Sequence, residues 1–249
     1  MTPTFDERAE WFDRHYDTPR GRVRATLVLE RLAATLPPPP ATVLDVGGGS
    51  GAIAIPLAVR GYDVTLLDPS PAMLELARRH AAGASVDLRF VEGGVERITA
   101  LAPGPFDGIC CHAVLMYLDD PALHLADMRQ AARYGATLSL LEKNRLALAM
   151  RPGLRGDYAE ALRVLDDPLA TGNLGIPNRS RSAADWDELL VAAGWRLDSW
   201  VGIRLFSDLS PDVVGDADYD RLVTLEREAG QREPYRSVAR LIHLSATAI

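Results

Sequence analysis

Between residues 40 and 145, short apolar runs alternate with longer stretches whose apolar residues recur at helical spacing. The runs at 42–46, 63–67, 86–91, 106–111 and 137–142 read as buried strands, and the stretches at 51–60, 71–82, 95–101 and 121–132 as helices. This rhythm predicts an α/β fold with a mostly parallel sheet and helices on both faces. Upstream, 5–16 and 22–36 also have helical spacing, with Trp11 and Phe12 on the first and Val23, Leu27, Leu32 and Leu36 on the second. The prolines at 37–40 form a stiff spacer that ends the second helix. Downstream, 145–181 breaks the rhythm with Gly and Pro and few apolar repeats, and reads as a lid or insertion. A helix resumes behind a Ser182 cap and stops at Gly194. Strands at 195–206 and 236–246, around a helix at 216–229, bring the sheet to seven strands. The expected layout is a helical cap over 1–36 and an α/β domain over 41–249 with the insertion at about 145–181.

At 249 residues and 47% hydrophobic, the chain can bury a full core as one domain. Its formal net charge of −7 gives no general pull toward phosphate backbones, so any nucleic-acid contact needs a local basic patch. Lys143 is the only lysine, a bias that fits a GC-rich genome. Cys110 and Cys111 are adjacent and the only cysteines, which predicts core residues of a reduced, cytoplasmic protein. No basic-then-apolar leader and no apolar stretch of bilayer length is expected, so no membrane partner is. No His, Cys and carboxylate cluster has metal-ligand spacing, so no metal is expected. The pattern does not indicate an oligomeric state.

The first apolar run ends in Asp45 and breaks into Gly47, Gly48, Gly49 and Gly51. One strand later comes a second acid, Asp68. Glycines permit positive φ in the turn and let a cofactor approach the backbone without a Cβ clash. Gly47, Gly49 and Ala52 also satisfy the dinucleotide fingerprint, so NAD or FAD stands as an alternative, as does a non-catalytic binding protein.

Asp45 ahead of the glycines makes an Asp-x-Gly-x-Gly-x-Gly string, which resembles motif I of the class I S-adenosylmethionine-dependent methyltransferases. The resemblance implies a Rossmann-like class I methyltransferase fold with S-adenosylmethionine as cofactor. In that family the glycine loop lies against the methionine part and Asp68, about 20 residues on, binds the ribose. Val95 and Glu96, after Val91-Glu92-Gly93-Gly94, fall where such enzymes often hold the adenine. The run 106–115 resembles the fourth-strand motif that ends beside the transferring methyl group.

A narrower resemblance, to the bacterial tRNA 5-carboxymethoxyuridine methyltransferases, rests on features spread over almost the whole chain. They are Phe5-Asp6, Ala9-Glu10, Phe12, Gly21 and Arg24, then His112-Ala113-Val114-Leu115 and Asp120-Pro121. Ala193-Gly194-Trp195, Gly202-Ile203-Arg204, Arg232-Glu233-Pro234-Tyr235 and Ile242-His243 complete the set. The resemblance implies methyl esterification of a carboxylate on a modified wobble uridine, with cofactor contacts from Arg24, Gly47, Gly48, Asp68 and His112. A carboxylate is ionised at neutral pH, so its attack on a sulfonium methyl needs alignment rather than a base. His112 is then a pocket wall or, for a hydroxyl or amine acceptor, a general base. Arg24 is placed on the methionine carboxylate of the cofactor.

Two departures bear on the substrate. The 145–181 stretch has no lysine cluster of the kind expected in the tRNA enzymes, only Arg179 and Arg181 after Asp166 and Asp167. Lys143-Asn144 stands where an aromatic-Asn pair is expected, and a lysine stacks on a base less well. Lys143, Asn144 and Arg204 are the candidate substrate residues. The expected partner is tRNA, and the alternative is a small-molecule carboxylate or phenol of a biosynthetic pathway.

Overall fold

The computed structural model describes residues 9–167, 169–171, 177–211 and 213–249. The strands are β1 (Thr42–Val46), β2 (Asp63–Asp68), β3 (Arg89–Glu92), β4 (Phe106–His112), β5 (Ala132–Lys143), β6 (Leu169–Thr171), β7 (Pro177–Arg179), β8 (Trp195–Ile203) and β9 (Leu241–Ala248). The helices before β5 are α1 (Ala9–Asp17), α2 (Pro19–Thr35), α3 (Ala54–Val59), α4 (Pro71–Gly83), α5 (Ile98–Leu101) and α6 (Pro121–Ala131). Those after it are α7 (Met150–Leu154), α8 (Tyr158–Asp166), α9 (Ala183–Ala192) and α10 (Asp216–Ala229).

Seven strands form one sheet in the order β3-β2-β1-β4-β5-β9-β8. The first five are parallel, and β9 runs antiparallel between β5 and β8. The strand order reverses between β1 and β4, which opens a crevice at their carboxyl ends where α/β sheets bind ligands. Because side chains alternate across a strand, the two faces feed two cores. Leu44, Ile109, Leu138 and Leu244 pack with Leu125, Met128 and Trp186 on one face. Val43, Leu66, Leu141 and Leu241 pack with Val23, Leu27, Val28 and Leu32 of α2 on the other. Burying each large apolar side chain of α2 contributes about 1.5–3 kcal/mol, an upper bound because unfolded chains already bury some surface. Cys110 and Cys111 fall on opposite faces for the same reason and stay free thiols, both pushed well up by burial.

Local chemistry sets the ends of these elements. Thr18, Ser70, Asp120 and Asp157 cap α2, α4, α6 and α8 with their side chains, each accepting an amide of the first turn. Ser182 and Asp185 form a reciprocal capping box on α9. The helix after the glycine loop starts at Ala54, not at residue 51, because the loop is still in left-handed backbone at Gly51 (φ 85). The strand expected from 86 begins only at Arg89. Residues 84–86 still close off α4, the Val86 amide donating to the Ala81 carbonyl at 3.1 Å. The strand expected over 236–246 runs Leu241–Ala248, since Arg236–Val238 is a single tight turn. The strand expected over 195–206 ends at Ile203, where Arg204 turns left-handed (φ 65).

The 145–181 segment leaves and returns at one point. The Arg145 amide donates to the Arg181 carbonyl at 3.1 Å, and between them lie α7, α8 and the β6–β7 hairpin. Residues 172–176 at its tip, and Phe5 and Asp6 of the N-terminal resemblance, are outside the described residues. Among the described residues no helix is long and apolar enough to cross a membrane.

Candidate active site

The glycine loop leaves the carboxyl end of β1 and turns back over β2. The Gly47 amide donates to the Leu67 carbonyl at 2.7 Å, which pins the turn to the sheet. Gly47 has φ 64, and a Cβ there would lie 2.4 Å from Val114 Cγ2, so no other residue fits. Gly49 has φ 55 but faces open space, with Met73 Sδ nearest at 3.9 Å. Asp68 sits beneath: its Oδ2 accepts the Gly49 amide at 2.8 Å and its Oδ1 the Ser70 amide at 2.9 Å. Asp45 is buried under Gly48, and its Oδ2 has no hydrogen-bond partner among the described residues. Burial, then the neighbouring Asp68, raises its carboxyl to about 7. An orphaned buried acceptor beside a loop stripped of side chains is a cradle lacking a donor.

At the end of β4, next in the sheet, His112 is buried, with Nε2 2.9 Å from Ser139 Oγ. That hydroxyl is also 2.7 Å from His243 Nε2. A hydroxyl has one proton, so it donates to one ring and accepts from the other, and the two rings take opposite tautomers. Burial, with Arg24 adding to it, lowers His112 to about 3, and burial also holds His243 well below its usual range. Both are neutral near pH 7. The next residue, Ala113, is left-handed (φ 63). Glu142 of β5 holds the turn that follows, its Oε1 accepting the amides of Val114 (3.2 Å) and Leu115 (2.9 Å) and its Oε2 that of Met116 (3.1 Å).

Arg24, on α2, donates to the Tyr16 hydroxyl at 3.1 Å, and its charge reaches Asp45, His112 and Tyr117. The sequence-predicted groups at the glycine loop, Asp68, His112 and Arg24 thus share one crevice. Gly51 is less directly involved, because a Cβ there would meet Ile55 of α3 at 2.7 Å. Val95 is buried and packs its side chain into the core. Glu96 is exposed and folds its carboxylate over Gly94.

The substrate-side candidates behave differently from one another. Asn144 spends its amide inside the protein, Nδ2 donating to the Ser237 and Ala239 carbonyls at 2.9 Å each and Oδ1 accepting the Leu146 amide at 3.0 Å. It braces the wall. Lys143 is buried, its Nζ donating to Asn178 Oδ1 of the insertion at 2.5 Å, and burial lowers it to about 7. Arg204 pairs with Asp208. Glu226 gathers the amides of Leu205 (2.9 Å), Phe206 (3.0 Å) and Ser207 (2.6 Å) behind it. A left-handed non-glycine residue costs of order 1 kcal/mol, and this clamp offsets that cost. Arg181 lies over the Trp186 ring, 5.2 Å from its centroid, with its Nη1 buried and without a hydrogen-bond partner among the described residues, and Arg179 is exposed. Sequence reasoning missed Glu142, Ser139, Glu226, Arg151 and Arg240. Each acts through partners far away in the chain.

A general methyltransferase-domain family matches residues 43–135, which span the glycine loop, Asp68 and His112. The tRNA 5-carboxymethoxyuridine methyltransferase of Escherichia coli K12 is 33% identical, covering 97% of this chain and 95% of its own. A ubiquinone biosynthesis O-methyltransferase from Xanthomonas campestris is 34% identical over 49% of this chain and 51% of its own. The fold superposes on magnesium protoporphyrin IX methyltransferase from Synechocystis with bound S-adenosylhomocysteine, at TM-score 0.66 and 15% identity over 98% of this chain and 96% of the other. The enzyme is S-adenosylmethionine-dependent, and the glycine cradle, Asp68 and the orphaned Asp45 oxygen suit that cofactor. With cofactor motif, sheet order and whole-chain similarity in agreement, the chain belongs to the class I S-adenosylmethionine-dependent methyltransferases, in the family of the bacterial tRNA 5-carboxymethoxyuridine methyltransferases.

Proposed function

We propose that the enzyme methylates a carboxylate oxygen, and that this carboxylate belongs to a modified wobble uridine of tRNA; the E. coli relative is named a tRNA 5-carboxymethoxyuridine methyltransferase. The observation that carries the chemistry is the weak basicity of the imidazole at the end of β4. His112 is neutral, its Nε2 engaged by Ser139 and its Nδ1 buried with no hydrogen-bond partner among the described residues, and Glu142 is committed to three backbone amides. A histidine near 3 is a poor base for a phenol or an amine. A wall that weakly basic suits an acceptor whose nucleophile arrives already ionised, as a carboxylate does.

When bound, S-adenosylmethionine supplies a methyl group on a sulfonium sulfur, and its transfer to a carboxylate oxygen requires no proton to move. Gly47, Gly48 and Gly49 give the backbone against which the methionine part lies, and Asp45 offers its unpartnered oxygen to the ammonium. Arg24 would pair with the methionine carboxylate, Asp68 would accept the ribose hydroxyls while still anchoring the Gly49 amide, and Val95 and Glu96 would flank the adenine. His112 forms the wall beside the methyl group. What the chain contributes to the rate is alignment of oxygen, carbon and sulfur. A tRNA acceptor goes with a cytoplasmic location.

The test compares methyl transfer to tRNA bearing 5-carboxymethoxyuridine, to the same tRNA lacking the carboxyl group, and to small carboxylic acids and phenols. Turnover of the first alone is expected. Turnover of a small acid, with none on any tRNA, would move the enzyme to the small-molecule alternative, which Lys143 at the expected aromatic position favours.

A further inference from the structure

Beyond the cofactor crevice, the ends of β5, β9 and β8 meet at the same edge of the sheet. Lys143 pairs with Leu241, and Leu241 with Ile203, so Arg240 and Arg204 emerge side by side just past the last strand pair. Their backbones are joined, the Arg240 amide donating to the Arg204 carbonyl at 3.1 Å. With Arg151 of α7 they line a cavity of about 30 Å³ floored by Met150, Leu205 and other apolar side chains. Asp208 is the acid in its lining, paired with Arg204 and 3.9 Å from Arg151. Three guanidinium groups against one carboxylate leave two positive charges uncompensated in the lining. Arg204 is 9% exposed, and its Nε is buried with no hydrogen-bond partner among the described residues. Arg240 makes no ion pair among the described residues. Arg24 and Arg20 lie close enough to add to the same field, and burial together with this field lowers His15 to about 4 and keeps it neutral.

A buried donor without an acceptor, set among surplus cations, is short of an oxyanion. The cavity has room for two or three water-sized oxygens, which suits the non-bridging oxygens of a phosphodiester and excludes a base. The local basic patch that a chain of net charge −7 needs for contact with nucleic acid is here, assembled from residues scattered over the sequence.

We propose that the Arg151–Arg204–Arg240 pocket is an oxyanion subsite that grips an RNA backbone phosphate beside the nucleotide being methylated. The RNA part of this proposal rests on the tRNA reading given above. Arg204 supplies the buried donor, held by the turn that Glu226 fixes. Arg151 and Arg240, on the partly exposed rim, supply the charge.

The experiment uses Arg240→Gln and Arg151→Gln, whose side chains are not needed to fill the core. Binding of tRNA is measured across a salt series, and protection against thermal unfolding by inorganic phosphate is measured against chloride at equal ionic strength. In Arg240→Gln we expect tRNA affinity to fall several-fold and the slope of log K against log salt to shrink by about 0.7. Phosphate is expected to raise the Tm of the native enzyme and not that of the variant, while cofactor affinity stays unchanged in both variants. Unchanged tRNA affinity and slope in both variants, in an enzyme that does methylate tRNA, would overturn the proposal. If the native enzyme neither binds nor methylates tRNA, the tRNA reading fails separately. Phosphate protection lost in the variants would then still support the oxyanion pocket, and protection that is absent, or equal in all three proteins, would overturn it.

Discussion

Glu142 accepts the backbone amide of Leu115 at 2.9 Å, and with its two neighbouring contacts it fixes the turn that carries the chain past the end of β4. Glu226 does the same after Arg204. In both places a left-handed residue, Ala113 or Arg204, is followed by three successive amides that converge on one fully buried carboxylate. One device shapes the wall of the cofactor crevice and the other the rim of the arginine pocket. Burial raises Glu142 to about 8 even though the three amides pull it down, so the turn is held at a real desolvation cost. Glu142→Gln is expected to lose about 1–3 kcal/mol of stability, because an amide NH₂ would face amide donors left without an acceptor. Urea unfolding measures this. A loss below about 0.5 kcal/mol would show that the turn does not depend on this carboxylate.

The close approach of Gly47 to Val114 gives a second expectation. Gly47→Ala should abolish measurable cofactor binding, since the new Cβ would sit 2.4 Å from Val114 Cγ2 at positive φ. Adding Val114→Ala relieves the contact but not the backbone strain, so calorimetry should show partial recovery. Full recovery would mean that φ 64 carries no penalty there, and no recovery would mean that the contact with Val114 was not the obstacle.

Asp68→Ala should weaken S-adenosylmethionine binding at least tenfold, because it removes both the ribose acceptor and the anchor of the Gly49 amide. The far-ultraviolet circular dichroism should be unchanged. Unaltered affinity would mean that the ribose lies elsewhere.

The two buried imidazoles make stability depend on pH. Unfolded, each takes a proton near 6.5, whereas in the fold His112 does so only at about 3 and His243 is also held low. The unfolded state therefore binds more protons below 6.5. The imidazole contribution to stability is level above that pH and falls below it, by up to about 1.4 kcal/mol per unit for each ring. Asp45 and Glu142, both raised by burial, oppose this trend, holding stability at low pH that is lost as pH rises through about 7 and about 8. His243→Gln isolates the imidazole, since both carboxyls remain. The stability gap between native enzyme and variant should narrow steadily from pH 6.5 to 4.5. A gap that stays constant would show that His243 accepts protons inside the fold.

The alternation of apolar runs was enough to place the sheet, and α10 matched its expected bounds because Gly215 and Gly230 flank a clear helical period. The glycine loop and Asp68 were legible because cofactor approach demands those residue types at that spacing. Ser139 and Glu142 were not, and His243 showed only as part of a resemblance, since a polar residue within a buried strand declares its role only when the neighbouring strand supplies a partner. Arg151, Arg204 and Arg240 lie on three separate elements, and their shared cavity is a product of the β9 reversal. Asn144 drew notice as the Asn of the expected aromatic-Asn pair, yet its amide is consumed by the Ser237 and Ala239 carbonyls.

Esterification of a carboxylate, with no base taking part, is the claim on which the rest depends. The most direct measurement is the fate of the transferred methyl group. The enzyme is incubated with labelled S-adenosylmethionine and tRNA carrying 5-carboxymethoxyuridine, and the recovered tRNA is treated with mild base. Quantitative release of the label as methanol is expected, since an ester hydrolyses there. Label that stays on the tRNA through the base treatment would place the methyl group on nitrogen, carbon or an ether oxygen and contradict the reading.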